Sequence, residues 1–459
     1  MRKNQAEATP LSAHSNAMAH AETNSPGRAR KRLLIVSREF PPSKLIAGQR
    51  VGAFSKFLPE SGIAVHVITE NTGKNCASNR TFPLKQVLPD CASEDSQISY
   101  VAGDNTAGRL VERVSGRLEQ ACRLGGLTSP LARAVRKPLS AYAFLTYGKH
   151  NIWVRNTVQQ AIITSKQSPF DGVFASFGGE YWNLGAASRI SRRLGIPLFL
   201  DFRDGWDWFF GFNGKRSRIY PMMRSFVSRS SLISGATQSV IDRLLEFWPD
   251  IPVTLVPNGF DIDRESLAIG SQSPSNLGLK IGYFGTVWPN PRWSLLCQAL
   301  ERVATTTPIH IVYRGRNPEQ IPKQLPWGGA VPPGISLDIG SLCERSEIFT
   351  MYGEVDLVIA AAAQENQLMG CIPAKLIEAI GFAKPFVALA DRSPEYLHEF
   401  LKDCPSPYLL VDDETRTDQI QSFILELRHR PPAPHQAPEA YSARRRACQL
   451  AETLINKMK

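Results

Sequence analysis

Several things are missing from this 459-residue chain, and each absence narrows what it can be. No apolar run approaches the ~18 residues that a membrane-spanning helix needs. No cysteine pair has C-x-x-C spacing. The eight cysteines, Cys76, Cys91, Cys122, Cys297, Cys343, Cys371, Cys404 and Cys448, are scattered. That argues against a disulfide scaffold and a zinc site and fits a reducing cytoplasm. Zinc-finger spacing and RNP-type aromatic sequences are absent, so no nucleic-acid partner is expected. Acidic residues are in deficit: 42 Asp and Glu against 53 Lys and Arg leave a net charge of +11. Such a balance favours anionic partners, a nucleotide or a phospholipid surface. The first thirty residues lack an apolar core and read as a disordered arm, not a secretory signal.

What is present is a globular composition, 43% hydrophobic and 21% charged, at a length that suits two or three domains. Short β-branched runs alternate with amphipathic helices. Leu33–Ser37 and Ala64–Thr69 read as strands around a helix from Arg50 to Leu58, with Val51, Phe54 and Leu58 inward. This βαβ opening predicts a parallel sheet. His66, among apolar strand residues, reads as a core histidine. Glu70 closes the second strand, where dinucleotide-binding enzymes place a ribose-binding acid. The first loop, SREFPP, argues against that class: it is not G-x-G-x-x-G, and Pro41 and Pro42 remove N–H donors.

Residues 71–105 read as irregular. Residues 107–140 read as helical and basic, with Arg109, Arg113, Arg117, Arg123, Arg133, Arg136 and Lys137 between aliphatic residues. Either this is a solvated face or it meets an anionic membrane or a lipid-linked acceptor. Phe170–Ser176 is a further strand. Pro197–Leu200 leads into Asp201-Phe202-Arg203-Asp204, which puts two acids and an arginine at the carboxyl end of a strand, where the cleft of an open α/β sheet lies. Arg203 reads as a partner for a phosphate or for Asp201. Asp204 is the leading acceptor-side polar residue, with a structural ion pair as its alternative. Trp206, Trp208, Phe209, Phe210 and Phe212 form a candidate sugar- or lipid-facing platform.

Residues 264–278 are rich in Ser, Gly and Pro and read as a linker. A second alternation opens at Leu279, with strands at Leu279–Thr286, Ile309–Tyr313, Ile335–Asp338 and Val355–Ala360. After the last of these comes a polar loop, Pro373 at a helix start, an apolar face of Leu376, Ile377 and Ile380, and a strand at Pro385–Leu389. Gly381 is expected to stop the helix in a left-handed cap. The helix N-terminus would open at the carboxyl end of a parallel sheet, where free N–H groups and the helix dipole bind anions. Lys375 and Glu378 lie one turn apart. A cation for phosphate and a carboxylate for sugar hydroxyls suit a nucleotide-sugar site; a solvated ion pair on an ordinary helix fits the same spacing.

PAKLIEAIGFAKP resembles the donor-binding segment of the family-4 retaining glycosyltransferases. Three further stretches agree in order: SREFPPSKLIAGQR with that group's first loop, LGIPLFLDFRDGW with a segment of its N-terminal domain, and VPNGFD followed by IGYFGT with its interdomain connection and the start of its second domain. Together they span about residues 31–430.

The resemblance implies an α/β GT-B fold of two doubly wound Rossmann-like domains with a cleft between them. The expected parts are an arm at 1–30, an acceptor-binding domain at 31–263, the linker at 264–278, a donor-binding domain at 279–430, and a linker with a crossover helix at 431–459. It implies transfer of a sugar from a nucleotide-sugar to an acceptor hydroxyl with retention, in cell-surface polysaccharide or glycolipid synthesis. No cofactor and no metal are implied; Asp261-Ile262-Asp263 has a D-x-D spelling but follows an N-G turn. Arg292 and Lys375 would neutralise the diphosphate. Gly285, Thr286 and Arg314 would line the donor site, and Glu378 would bind the ribose. Gly48 would allow close approach to sugar or acceptor, with Trp182 and Arg203 on the acceptor side; Glu180 and Tyr181 are candidates for acceptor contact that read equally as helix-start residues. The sequence departs from the pattern twice. Trp182 stands where relatives carry a histidine. Gly370 stands where they carry a first glutamate, which leaves the sugar contact to another residue or to the N–H groups of Gly370, Cys371 or Ile372. A nucleotide-sugar epimerase or a non-catalytic nucleotide-sugar-binding protein on the same fold are the alternatives.

Overall fold

The computed structural model describes residues 30–42, 46–71, 81–91, 93–103, 151–207, 214–216, 219–262, 278–287, 290–316, 318–321, 325–327, 330–361, 372–390, 395–427 and 438–458. Within these, residues 31–459 make one compact unit containing two sheets. The basic stretch from Arg109 to Lys137, Trp208 to Phe212, Gly370 and Cys371 lie outside the described residues.

The first sheet has eight strands: β1 (Lys31–Val36), β2 (Ile63–Glu70), β3 (Thr81–Pro83), β4 (Gln97–Val101), β5 (Gly172–Phe177), β6 (Leu198–Phe202), β7 (Leu232–Gly235) and β8 (Val253–Leu255). Their spatial order is β3-β4-β2-β1-β5-β6-β7-β8, with only β3 antiparallel. Leu33–Val36 and all of β5 and β6 are buried, as expected for central parallel strands covered on both faces. Helices α1 (Ile46–Phe57), α2 (Asn151–Gln167), α3 (Tyr181–Leu194), α4 (Tyr220–Val227) and α5 (Gln238–Leu245) belong to this half. β3 and β4 correct the expectation of irregular structure over residues 71–105. Their short, polar stretches gave no periodic signal, and β4 is built by pairing with β2.

The second sheet has six parallel strands: β9 (Leu279–Phe284), β10 (Ile309–Gly315), β11 (Ile335–Ser341), β12 (Leu357–Ala361), β13 (Phe386–Leu389) and β14 (Tyr408–Val411), in the order β11-β10-β9-β12-β13-β14. Helices α6 (Trp293–Ala304), α7 (Arg345–Glu354), α8 (Ala374–Gly381), α9 (Glu395–Leu401) and α10 (Thr417–Leu427) accompany it. Chain order reverses between β1 and β5 in one sheet and between β9 and β12 in the other. Crevices at the carboxyl ends of open α/β sheets form at these switch points.

The last helix, α11 (Ala443–Ile455), returns to the first half. Ala447, Leu450, Ala451 and Leu454 share a core with Leu33, Phe54, Phe57 and Leu58. Its approach is tied to the other interdomain crossing: Phe260 N–H donates to Tyr441 O at 3.0 Å, and Ala443 N–H to Phe260 O at 2.8 Å. The α8 cap differs from expectation. Gly381 is the last helical residue, and the left-handed residue is Ala383 (φ 50°). Gly381 lacks a side chain for another reason: a Cβ there would lie 2.6 Å from Phe260 Cγ and Ile262 Cδ1.

Candidate active site

Lys375 lies in the first turn of α8, at the carboxyl edge of the second sheet, and it is buried. Its Nζ donates to Tyr283 Oη at 2.6 Å and to Thr286 O at 3.3 Å, and lies 4.0 Å from the Tyr283 ring centre. Among the described residues no carboxylate comes within ion-pair distance of it. Burial therefore dominates and lowers its pKa to about 7, with Glu378 pulling the other way. This corrects the alternative of a solvated pair: Lys375 is a desolvated ammonium held by neutral oxygens.

Glu378 is one turn on, with its side chain 18% exposed. The buried Tyr352 hydroxyl approaches its Oε2 at 3.2 Å, and Arg345 Nη2 approaches its Oε1 at 3.7 Å. Burial raises the Glu378 carboxyl pKa against the opposing pull of Arg345, Tyr352 and Lys375. Neither tyrosine was singled out in the sequence; each sits beside a motif, Tyr283 in IGYFGT and Tyr352 just before β12, and only packing turns it toward α8.

Gly285 follows β9 at φ 120°, a conformation that favours glycine, and a Cβ there would meet open space. Its N–H donates to Arg314 O at 2.8 Å. Thr286 presents its carbonyl to Lys375 and to the Tyr283 hydroxyl, the latter at 2.8 Å. Ile372 is half-buried just before Pro373. Arg292 precedes α6 and pairs with Asp413 in the loop after β14. Arg314 is bidentate on Asp338, at 3.0 and 2.8 Å, so its guanidinium is engaged by the neighbouring strand.

On the first sheet the structure redistributes the expected partners. Asp201 is fully buried and does not line a cleft: it accepts from Arg50 Nε (2.9 Å) and Nη2 (2.8 Å), Ser176 Oγ (2.7 Å) and Ser234 Oγ (2.7 Å). Arg203 pairs with Glu180 at 2.8 Å to both oxygens, and Glu180 also accepts the Gly178 N–H at 2.6 Å. Burial works against the Arg203 charge, but Glu180 and Asp204 more than offset it and raise its pKa. Asp204 is half-buried beside it.

Tyr181, read either as an acceptor contact or as a helix-start residue, is the first residue of α3 and a core residue. It packs on Phe177 with ring centres 4.8 Å apart and donates to Trp206 O at 3.0 Å. Trp206, expected in an exposed platform, is fully buried among Tyr220, Phe247 and Trp248. Trp182 is half-buried with the Arg38 guanidinium 5.8 Å from its ring centre. Gly48 is buried, and a Cβ there would lie 3.1 Å from Phe40 Cα; its close approach is to the first loop, between α1 and the Glu39–Phe40 backbone. His66 is a satisfied core histidine, 2.9 Å from Ser99 Oγ and 3.2 Å from Gln97 Oε1, with its pKa lowered to about 4 by burial and then by Arg32. Glu70 pairs with Arg38 at 2.6 Å. Among the described residues no three His, Cys, Asp or Glu side chains gather to hold a metal ion.

No protein-family model matches the chain, and no curated protein matches it. Solved structures do. Sucrose-phosphate synthase from Thermosynechococcus elongatus matches with a TM-score of 0.51 and 9% identity, covering 93% of this chain and 95% of its own. Anabaena HepE in complex with UDP matches at 0.54 and 15% identity, covering 93% and 100%. The chain has the GT-B fold. A third GT-B structure, described as trehalose-6-phosphate from E. coli bound with UDP-2-fluoro glucose, matches at 0.50 and 10% identity, covering 92% and 96%.

In GT-B terms, Gly285, Thr286, Arg314, Ile372, Lys375 and Glu378 belong to the second Rossmann-like half, clustered around the β9/β12 switch point, while Glu180, Arg203 and Asp204 follow β5 and β6 of the first. Arg292 reaches toward the β14 side instead, through Asp413. No helix among the described residues is long and apolar enough to cross a membrane.

Proposed function

We propose that this chain transfers a sugar from a nucleotide-sugar donor to an acceptor hydroxyl, with retention and without a metal. The observation that carries the reading is the buried Lys375 ammonium, which has no carboxylate partner among the described residues, one turn before Glu378 at the carboxyl edge of the second sheet. A desolvated cation held only by neutral oxygens is costly unless an anion completes it. A diphosphate does so.

In the reaction, the bond from the anomeric carbon to the diphosphate oxygen breaks and a bond to the acceptor oxygen forms, while the acceptor proton leaves with the diphosphate. Lys375 neutralises the departing charge. Arg292 joins it by exchanging Asp413 for phosphate. Glu378 accepts from the ribose hydroxyls, Gly285 and Thr286 bring backbone close to the phosphates, and the N–H groups of Gly370, Cys371 and Ile372 serve the sugar. Asp204 serves the acceptor, positioned by the Arg203–Glu180 pair. That HepE structures hold UDP and UDP-glucose supports a nucleotide-sugar donor. The assigned setting is polysaccharide or glycolipid synthesis at the cytoplasmic face of a membrane, with a sugar or lipid-linked acceptor.

Trp182, in place of a histidine, favours a second reading, a nucleotide-sugar binder or epimerase. A thermal-shift panel of UDP-, GDP-, ADP- and dTDP-sugars tests the first step, since a ligand at 100 times its Kd stabilises by about 2.7 kcal/mol. Product analysis with and without acceptor then separates transfer from epimerisation. No stabilisation by any member of the panel overturns the reading.

A further inference from the structure

Tyr352, on α7, is fully buried; its ring packs between the end of β9 and the residue after α8, and its hydroxyl reaches α8. Its ring stacks on Phe382 with centres 4.9 Å apart and planes at 6°, and tilts against Phe284, the residue before Gly285, at 4.7 Å. The hydroxyl has two acceptors, Lys375 O at 3.3 Å and Glu378 Oε2 at 3.2 Å, and one proton to give. Arg345, its guanidinium 4.9 Å from the Phe349 ring centre, faces the other carboxylate oxygen at 3.7 Å, beyond hydrogen-bond length. Among the described residues, the charged and titratable groups around Glu378 are thus Tyr352 and Arg345 from α7 and Lys375 on its own helix.

We propose that Tyr352 is the positioning residue for Glu378: it fixes Oε2, sets the carboxylate plane and leaves Oε1 for a vicinal diol of the ligand. The proposal rests on the reading of Glu378 as the ribose-binding acid. A carboxylate whose terminal torsion is free must be ordered when the ligand binds; one already held by a buried phenol does not incur that cost. The ring is locked by its aromatic neighbours, so removal of the hydroxyl alone leaves the packing intact.

Tyr352→Phe tests this with UDP and 2′,3′-dideoxy-UDP as probes in calorimetry. UDP should bind the variant about tenfold more weakly, the scale of one hydrogen bond to a charged group, while the dideoxy compound binds variant and parent alike. Unchanged UDP affinity, or equal loss for both probes, overturns the proposal. A ligand-free arm keeps the two readings apart. The Glu378 carboxyl is followed by carbon NMR against pH, assigned by its disappearance in Glu378→Gln. Its titration midpoint should rise in Tyr352→Phe, because a donor to the ionised form is lost; an unmoved midpoint sinks the positioning role. If UDP fails to bind the parent at all, the functional reading falls and the carboxyl titration alone judges Tyr352.

Discussion

Arg50 holds Asp201 in a two-pronged grip, Nε to Oδ2 at 2.9 Å and Nη2 to Oδ1 at 2.8 Å, with Asp201 fully buried and Arg50 nearly so. The same guanidinium donates to Val256 O at 2.7 Å and Asn258 Oδ1 at 3.0 Å, and lies over the Phe54 ring. One ion pair therefore joins α1, β6 and the start of the interdomain connection.

Removing one partner of a buried pair strands the other charge, at a cost of about 3–5 kcal/mol. Arg50→Met and Asp201→Leu are each expected to lower stability by that order, while the double variant recovers much of the loss. Burial alone would raise the Asp201 pKa, but Arg50, Ser234 and Ser176 overcome it and lower it. A depressed carboxyl contributes stability above its unfolded pKa and loses it as pH falls through the folded value. Urea unfolding of the parent should thus weaken below about pH 4, and Asp201→Asn should show a flatter acid limb. A double variant no more stable than either single one would show that the pair is not what couples these elements.

Lys375 costs stability where Asp201 supplies it. Its ordinary pKa of 10.5 falls to about 7 in the fold, chiefly through burial. Below pH 7 both folded and unfolded chains carry the proton, so the penalty of the buried charge is complete; it fades as the folded chain loses the proton between pH 7 and about 10. Lys375→Met should therefore raise the ligand-free Tm most at pH 6 and least at pH 9.5. Nucleotide binding runs the other way: parent affinity should fall as pH rises through 7, and the variant should bind weakly throughout. An equal Tm gain at both pH values would show that charge burial is not the cause.

Much of this is legible in the sequence. Leu33–Val36, Ala64–Thr69 and Val355–Ala360 are apolar enough to announce buried parallel strands, and Pro373 marked the start of α8. What was not legible is which charges find each other. Asp201 lies 151 residues from Arg50, so local spacing offered Arg203 as its partner instead, and Arg203 turned to Glu180. Tyr181 offered an acceptor contact and Trp206 a ligand-facing platform because aromatic residues near a loop suit both a binding surface and a core; burial is decided by α3, α4 and α5 packing together. The burial of Lys375 likewise depends on Tyr283 and Thr286, contributed by another strand.

Turnover should persist in chelator. The cations that offset diphosphate charge in the proposed reaction are side chains, Lys375 and Arg292, where acidic metal sites would use a divalent ion. Asp261, in the one D-x-D spelling, accepts from Lys56 Nζ at 2.8 Å. Initial rates with and without EDTA, after removal of free divalent ions, check this. Full loss of activity, restored by manganese, would assign the charge neutralisation to a metal.

The basic stretch from Arg109 to Lys137 leads to the last prediction. It carries seven cations interleaved with Leu110, Val114, Leu118, Leu131 and Val135. Each Lys or Arg near an anionic leaflet contributes about 1 kcal/mol, and the attraction decays within a Debye length of about 8 Å at physiological salt. If the acceptor is lipid-linked, the chain should sediment with anionic vesicles at low salt and be released at high salt. Charge reversal at Arg113, Arg117 and Arg136 should abolish sedimentation while nucleotide-sugar binding, which the proposed reading centres on Lys375 and Glu378, stays unchanged. Equal partition to neutral and anionic vesicles would attribute binding to the aliphatic residues. No sedimentation at low salt would exclude electrostatic attachment through this stretch and favour a soluble acceptor.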